Sequence, residues 1–395
     1  MACLLVAVVA RLHIGGLEAI DDFVREIVLV QVGGFGIMTI GSALALITSR
    51  RLGLRQRILA QTELGADVEI GEMRSLISAI ARFTLAAEAV LAVTLFVAFT
   101  QRHHMPAGRA AYEAGFHAVT AWNNAGISLH ANSLTAYSND PVVLVPISAA
   151  FVLGGLGFPI LVEFVRRVPR KRWALNTRIT LLATAVLLVV GPLLVLALEW
   201  RNARTLGPMS VPHKALTAWF HGATPRTAGF HTIVVGAQHE PTLNIETALM
   251  FIGAGPASTS GGIKVTTFAV LGFAMWSEFR GDPDVNAFGR RLSLRTVRQA
   301  MTMALLAVGV VFTSAILLSS VSHFSFTRTL FESASAFGTT GLTTGVTSAM
   351  PRFGQWVLLL MMLAGRVGPM TFVSALALRE TQRAYRFAEE RPILG

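Results

Sequence analysis

Three short stretches of the chain carry residue types on which chemistry could turn: Asn123–Asn124–Ala125–Gly126, Arg226–Thr227–Ala228–Gly229 and Gly338–Thr339–Thr340–Gly341. None places a nucleophile beside a base. What they offer is backbone carbonyl oxygen, which in a ring can replace the hydration shell of a potassium-sized cation. The central glycine admits backbone geometry that a Cβ would hinder. Gly126, Gly229 and Gly341 are separated by 103 and 112 residues, and ten residues before them stand Phe116, Trp219 and Phe331. Five before stand Ala121, Thr224 and Ala336, a large-then-small pattern that suits a short helix packed tightly on its neighbours. Such helices would point their negative C-terminal ends at the turn, which favours a cation. One such glycine alone would be read as an aid to close helix packing; three matched stretches favour the carbonyl reading. The same step back from Gly126 reaches Gly15 and Gly16. The candidate ion-binding residues are therefore Asn123, Asn124, Ala125, Gly126, Thr227, Ala228, Gly229, Thr339, Thr340 and Gly341, with Gly16 for a fourth turn.

A second group lies inside an apolar run. Gly255, Pro256, Ser258, Thr259, Ser260, Gly261 and Gly262 precede Lys264, and this composition cannot continue an ordinary helix. Lys264, and Arg366 in the last apolar run, are costly at membrane depth and face a cavity or a partner there. A lysine snorkelling from a helix end is the plainer alternative; the other is a non-helical loop that gates a pore. Gly255–Lys264 departs from the form of a phosphate loop, and His103–His104 lack metal-ligand spacing. No Gly-x-Ser-x-Gly elbow or paired carboxylates stand in a catalytic setting. An enzyme is not indicated, and no resident cofactor is.

The elements that must position these residues follow from composition. Of 395 residues, 53% are hydrophobic and 14% charged, against about 25% charged in soluble domains. The apolar residues gather into runs of about 20, long enough to cross a bilayer. The pattern predicts an all-α integral membrane protein with spans near 27–48, 76–100, 141–165, 176–200, 244–279, 297–321 and 353–379. Three intervening segments, Tyr112–Ser128, His213–Ile233 and Phe326–Thr344, read as re-entrant loops, tolerated at that depth only against water or protein. Each following span carries a glycine break, at Gly154–Gly157, Gly261–Gly262 and Gly365–Gly368, and Gly33–Gly36 matches them. The unit span–loop–span thus occurs four times around a pseudo-fourfold pore: 1–60, with its first span and short helix missing, then 61–172, 173–292 and 293–395. Either the given sequence starts late or the chain lacks that part.

The net charge of +11 has the distribution of a membrane protein. Nineteen of 33 basic residues lie in four clusters between alternate spans, as cytoplasmic loops do. A nucleic-acid surface would gather them on one face, so lipid is the expected partner and nucleic acid is not. The single cysteine, Cys3, forms no internal bridge.

At these residues the chain resembles the membrane subunit of Trk/Ktr-type bacterial potassium-uptake systems, in particular the Ktr-like branch of the Trk/Ktr/HKT superfamily. The likeness rests on Gln31–Val32–Gly33–Gly34–Phe35–Gly36, Phe116–His117–Ala118–Val119 leading to Asn123–Gly126, Thr224–Pro225–Arg226–Thr227–Ala228–Gly229–Phe230, Ser258–Lys264 and Gly365–Arg366–Val367–Gly368–Pro369. It implies four pore-forming repeats, potassium as the transported ion with sodium as a candidate companion, and an intramembrane loop obstructing the path in the third repeat. It further implies a homodimer in the bacterial plasma membrane, resting on a cytosolic nucleotide-binding regulatory ring. By the same resemblance, Gly126, Gly229 and Gly341 are filter glycines, Gly253–Lys264 is the gating loop, and Arg366 lies beneath or beside the pore. The chain departs from the family's Val-Thr-Gly-Leu at the first filter, where it reads Ile14–Gly15–Gly16–Leu17. A non-conducting relative with a structural or regulatory role is the alternative that this departure raises.

Overall fold

A computed structural model describes residues 73–256 and 258–378, together with 27, 30, 31 and 33. Gly16, most of the expected first repeat, 1–60, and the tail beyond 378 lie outside the described residues. Within them the chain three times runs long helix, short helix, glycine turn and returning helix. The second unit comprises α1 (Met73–Gln101), α2 (Ala107–Trp122), α3 (Pro141–Leu156) and its continuation α4 (Phe158–Val165). The third comprises α5 (Leu175–Glu199), α6 (Val211–Ala223), α7 (Glu240–Phe251) and, after a loop, α8 (Val265–Arg280). A small antiparallel hairpin, β1 (Asn286–Ala287) with β2 (Arg290–Arg291), leads to the fourth. That unit is α9 (Leu294–Val321), α10 (Phe326–Gly338) and α11 (Arg352–Leu378).

The outgoing helices α1, α5 and α9 each contain a stretch long and apolar enough to cross a membrane. At 1.5 Å per residue, the 25 residues of α5 reach about 38 Å. Their outer faces expose Val90 and Val93, Val189 and Leu193, and Leu305 and Ile316. Apolar side chains facing outward in this density require lipid rather than water around them. The short helices are the opposite: Phe116, Phe220 and Phe331 are fully buried, so α2, α6 and α10 pack inward against the spans. Neighbouring units interlock, because Phe220, Ala228 and Phe230 of the third share a core with α1–α3. Met250 and Ile263, also of the third, pack with α9, α10 and α11.

Two expectations are corrected. Trp219 is not the buried anchor of the third short helix: it is 37% exposed and Phe220 beside it is fully buried. The third unit is thus one residue shorter between anchor and turn, which equal spacing from the glycine concealed. The fourth returning span is also unbroken, since α11 runs helically through Gly365–Gly368. Gly365 serves contact instead: an added Cβ would lie 1.7 Å from the Phe337 carbonyl oxygen. Gly154 meets the Trp122 carbonyl likewise, at 2.0 Å. Trp122 and Phe337 each stand four residues before their turn glycine, so these glycines let the returning span close on the end of the short helix. Breaks do occur in the other two units, at Gly157 with φ 96° and through the loop between α7 and α8.

Candidate ion pathway

The three glycine turns share one backbone pattern. Asn124, Thr227 and Thr339, each two residues before the glycine, have φ of 50°, 74° and 53°; Gly126, Gly229 and Gly341 follow at 65°, 81° and 90°. Left-handed residues at alternate positions rotate successive peptide planes so that their carbonyls can share a side. For β-branched threonine the left-handed region is a true outlier, and such strain persists only where the surroundings over-determine it. Backbone bonds do part of this: the Ala125 N–H donates to the Thr120 carbonyl (2.9 Å), Ala228 to Thr224 (3.0 Å) and Thr340 to Ser335 (2.9 Å). The Ala228 bond, in the third unit, spans four residues where the other two span five, in keeping with that shorter unit. Past the glycine, Thr224 Oγ1 donates to the Phe230 carbonyl (2.7 Å) and Ser335 Oγ to that of Leu342 (2.6 Å).

The turns lie side by side. A Cβ on Gly126 would stand 2.5 Å from the Ala228 carbonyl oxygen, and one on Gly229 would stand 2.2 Å from that of Thr340. The second turn therefore abuts the third and the third abuts the fourth. The sequence-predicted residues Asn123 to Gly126, Thr227 to Gly229 and Thr339 to Gly341 are thus brought together.

The loop between α7 and α8 is held against these turns. The Asn124 amide donates to Thr259 Oγ1 (2.9 Å), and the Gly261 N–H donates to Thr339 Oγ1 (3.1 Å). Both partners are the left-handed residues of their turns. Elsewhere the Gly253 N–H donates to the Ile263 carbonyl (2.8 Å), Gly255 to Gly155 (2.8 Å) and Gly262 to Gly365 (3.0 Å). Ser258 Oγ bonds the Gly255 carbonyl (2.6 Å) and Ser260 Oγ (2.5 Å). Lys264 Nζ folds back to donate to the Ser260 carbonyl (2.6 Å). Gly255 is required by contact, since its Cβ would stand 2.0 Å from the Leu156 carbonyl oxygen.

Several residues here were not among the candidate ion-binding or gating residues read from sequence. Glu88 is a buried acid in α1; Asn123 donates to it (3.0 Å) and to Gln31 Oε1 (3.0 Å), and Gln31 donates to Glu88 (3.0 Å). An acid inside an apolar run was the signal available for it. Arg226 is buried and donates to Thr184 Oγ1 of α5 (3.2 Å). Outside the spans, Asp140 caps α3. Burial would raise its carboxyl, but the Val142 N–H, His103 and Arg102 together hold it below the usual carboxylate range. Among the described residues no group of three histidines, cysteines or acids is arranged to hold a metal ion.

Comparison with known proteins agrees with this architecture. The TrkH family, described as "Cation transport protein", matches residues 17–384. The chain is 36% identical over 370 residues to the Ktr system potassium uptake protein B of Vibrio alginolyticus, covering 93% of this chain and 80% of that protein. It is 34% identical over 352 residues to the protein of the same name from Bacillus subtilis (strain 168), covering 89% and 78%. The solved potassium transporter TrkH from Vibrio parahaemolyticus superposes with a TM-score of 0.67 at 20% identity, covering 89% of this chain and 71% of that one. These relatives are transporters rather than enzymes, and the apolar spans place the chain in a membrane. With residues 17–384 matched by the family, this chain belongs to the TrkH family of cation transport proteins.

Proposed function

We propose that the chain conducts potassium across the bacterial plasma membrane through a filter of backbone carbonyls, gated by the loop between α7 and α8. The observation that carries this reading is the alternating left-handed backbone at Asn124/Gly126, Thr227/Gly229 and Thr339/Gly341, in three turns that touch one another. Four repeats, 1–60, 61–172, 173–292 and 293–395, surround the pore in this reading, and Gly16 supplies the fourth turn. Potassium is the cargo and sodium a candidate companion; the subunit itself holds no cofactor. The loop obstructs the path because Asn124 and Thr339 tie it directly to two turns. Lys264 and Arg366 add positive charge beside it.

The experiment is potassium uptake by purified protein in lipid vesicles, and growth at low potassium of a host without its own uptake systems. Potassium-dependent flux is expected. A correctly folded protein without flux would leave the non-conducting alternative standing.

The relatives named for a Ktr system support a second element of the proposal, assembly. Two copies pair, and the basic loops meet anionic lipid and a cytosolic nucleotide-binding ring, each charge near the surface contributing about 1 kcal/mol. Mass measurement of the solubilised protein, with and without such a regulator, should give a dimer that binds the ring. A strict monomer indifferent to it would remove this element.

A further inference from the structure

Each described short helix carries a polar side chain directly after its buried phenylalanine: His117, His221 and Glu332. In α2, His117 Nε2 lies 3.2 Å from the hydroxyl of Ser128, two residues past Gly126. In α6, His221 turns instead toward α7, its Nδ1 standing 2.8 Å from Glu246 Oε1. In α10 the arrangement is fullest. Glu332 is buried, and its Oε1 accepts from the Thr343 hydroxyl (2.9 Å), the Thr344 N–H (2.8 Å) and the Thr344 hydroxyl (2.9 Å). Its Oε2 accepts from the hydroxyl of Thr347. Thr343 and Thr344 are the second and third residues past Gly341.

We infer that Glu332 is a positioning residue for the fourth filter strand, fixing the segment after Gly341 and thereby the discrimination of potassium from sodium; this rests on the filter reading above. Four donors converge on one carboxylate from three residues of the strand. The group cannot release the strand cheaply, because a buried acceptor stripped of its donors bears its full desolvation cost. The Gly126 and Gly229 turns each press on a neighbouring turn. Among the described residues nothing lies within 4 Å of a Cβ placed on Gly341. The fourth strand meets the third turn at Thr340 and is held from behind through Glu332 and Ser335. Carbonyl positions tuned to one ion radius need such restraint, since a filter free to shrink would accommodate sodium.

Potassium and sodium fluxes in vesicles containing the full-length protein test this. Glu332→Ala should lower potassium-over-sodium selectivity by about tenfold, the loss of one or two such bonds. Glu332→Gln should stay near wild type: its carbonyl keeps the three bonds at Oε1, and the Thr347 hydroxyl turns to accept from the amide. The double variant Thr343→Val/Thr347→Val, at exposed and half-buried positions, should show a smaller loss. Wild-type selectivity in a folded Glu332→Ala protein would overturn the inference. So would equal damage in Glu332→Gln, which would assign the effect to charge. If Glu332→Ala does not fold, unchanged selectivity in the double threonine variant overturns it instead. Gly229→Ser run alongside separates the two levels: if it loses selectivity while the Glu332 and threonine variants keep theirs, the filter stands without the buttress. If none of them changes selectivity, the filter reading itself has failed.

Discussion

Gly229→Ser should cut potassium selectivity and flux by about a hundredfold, and Gly341→Ser by much less. The new Cβ at Gly229 would stand 2.2 Å from the Thr340 carbonyl oxygen and 3.0 Å from Gly126 Cα. Backbone, not a flexible side chain, would have to move, and overpacking of this kind costs about 1–3 kcal/mol. The left-handed φ of 81° adds about 1–2 kcal/mol for any residue with a Cβ. Gly341 at φ 90° bears only the second cost, because no described atom crowds it. Gly126→Ser belongs with Gly229, having the Ala228 carbonyl oxygen at 2.5 Å. Ion competition in vesicles gives the ranking, with thermal unfolding as the control for fold. Equal selectivity in Gly229→Ser and wild type would end the assignment of these turns as the filter.

Shortening the loop across Ala257–Ser260 should raise flux strongly and weaken its dependence on the cytosolic regulator. The deletion removes Thr259, to which Asn124 donates, and Ser260, to whose carbonyl Lys264 donates. It also pulls Gly261 away from Thr339. Each bond contributes about 1 kcal/mol, so loss of two or three shifts a closed–open equilibrium by roughly ten- to a hundredfold. Thr259→Val isolates one latch and should give a rise of about fivefold by the same arithmetic. Flux with and without the regulator is the measurement. A folded deletion variant with unchanged flux and unchanged regulation would reduce the loop to a packing kink.

The spans were legible in sequence because bilayer thickness fixes their length. The predicted 176–200 and 297–321 appear as Leu175–Glu199 and Leu294–Val321. The three turns were legible because a left-handed position at close backbone approach leaves glycine almost alone as a candidate, and glycines near-regularly spaced stand out. What could not be read was the register behind them. Trp219 and Phe220 are both large and apolar, and only packing shows that Phe220 fills the core. Gly365–Gly368 looked like a break, yet a helix tolerates glycine, and whether it bends depends on what approaches; here it is the Phe337 carbonyl.

The amino-acid sequence by itself determined a multi-pass helical membrane protein with a repeated unit and glycine-centred turns. These follow from composition, hydropathy and spacing along the chain. Only the tertiary structure decided which side chains hold the turns: Glu88 with Asn123, Thr259 with Asn124, Thr339 with Gly261, and Glu332 with Thr343 and Thr344. The first three pairs are 35, 135 and 78 residues apart. Hydrogen-bond partners at such separations have no local signature, since a polar residue's choice among distant donors is made only when the spans pack.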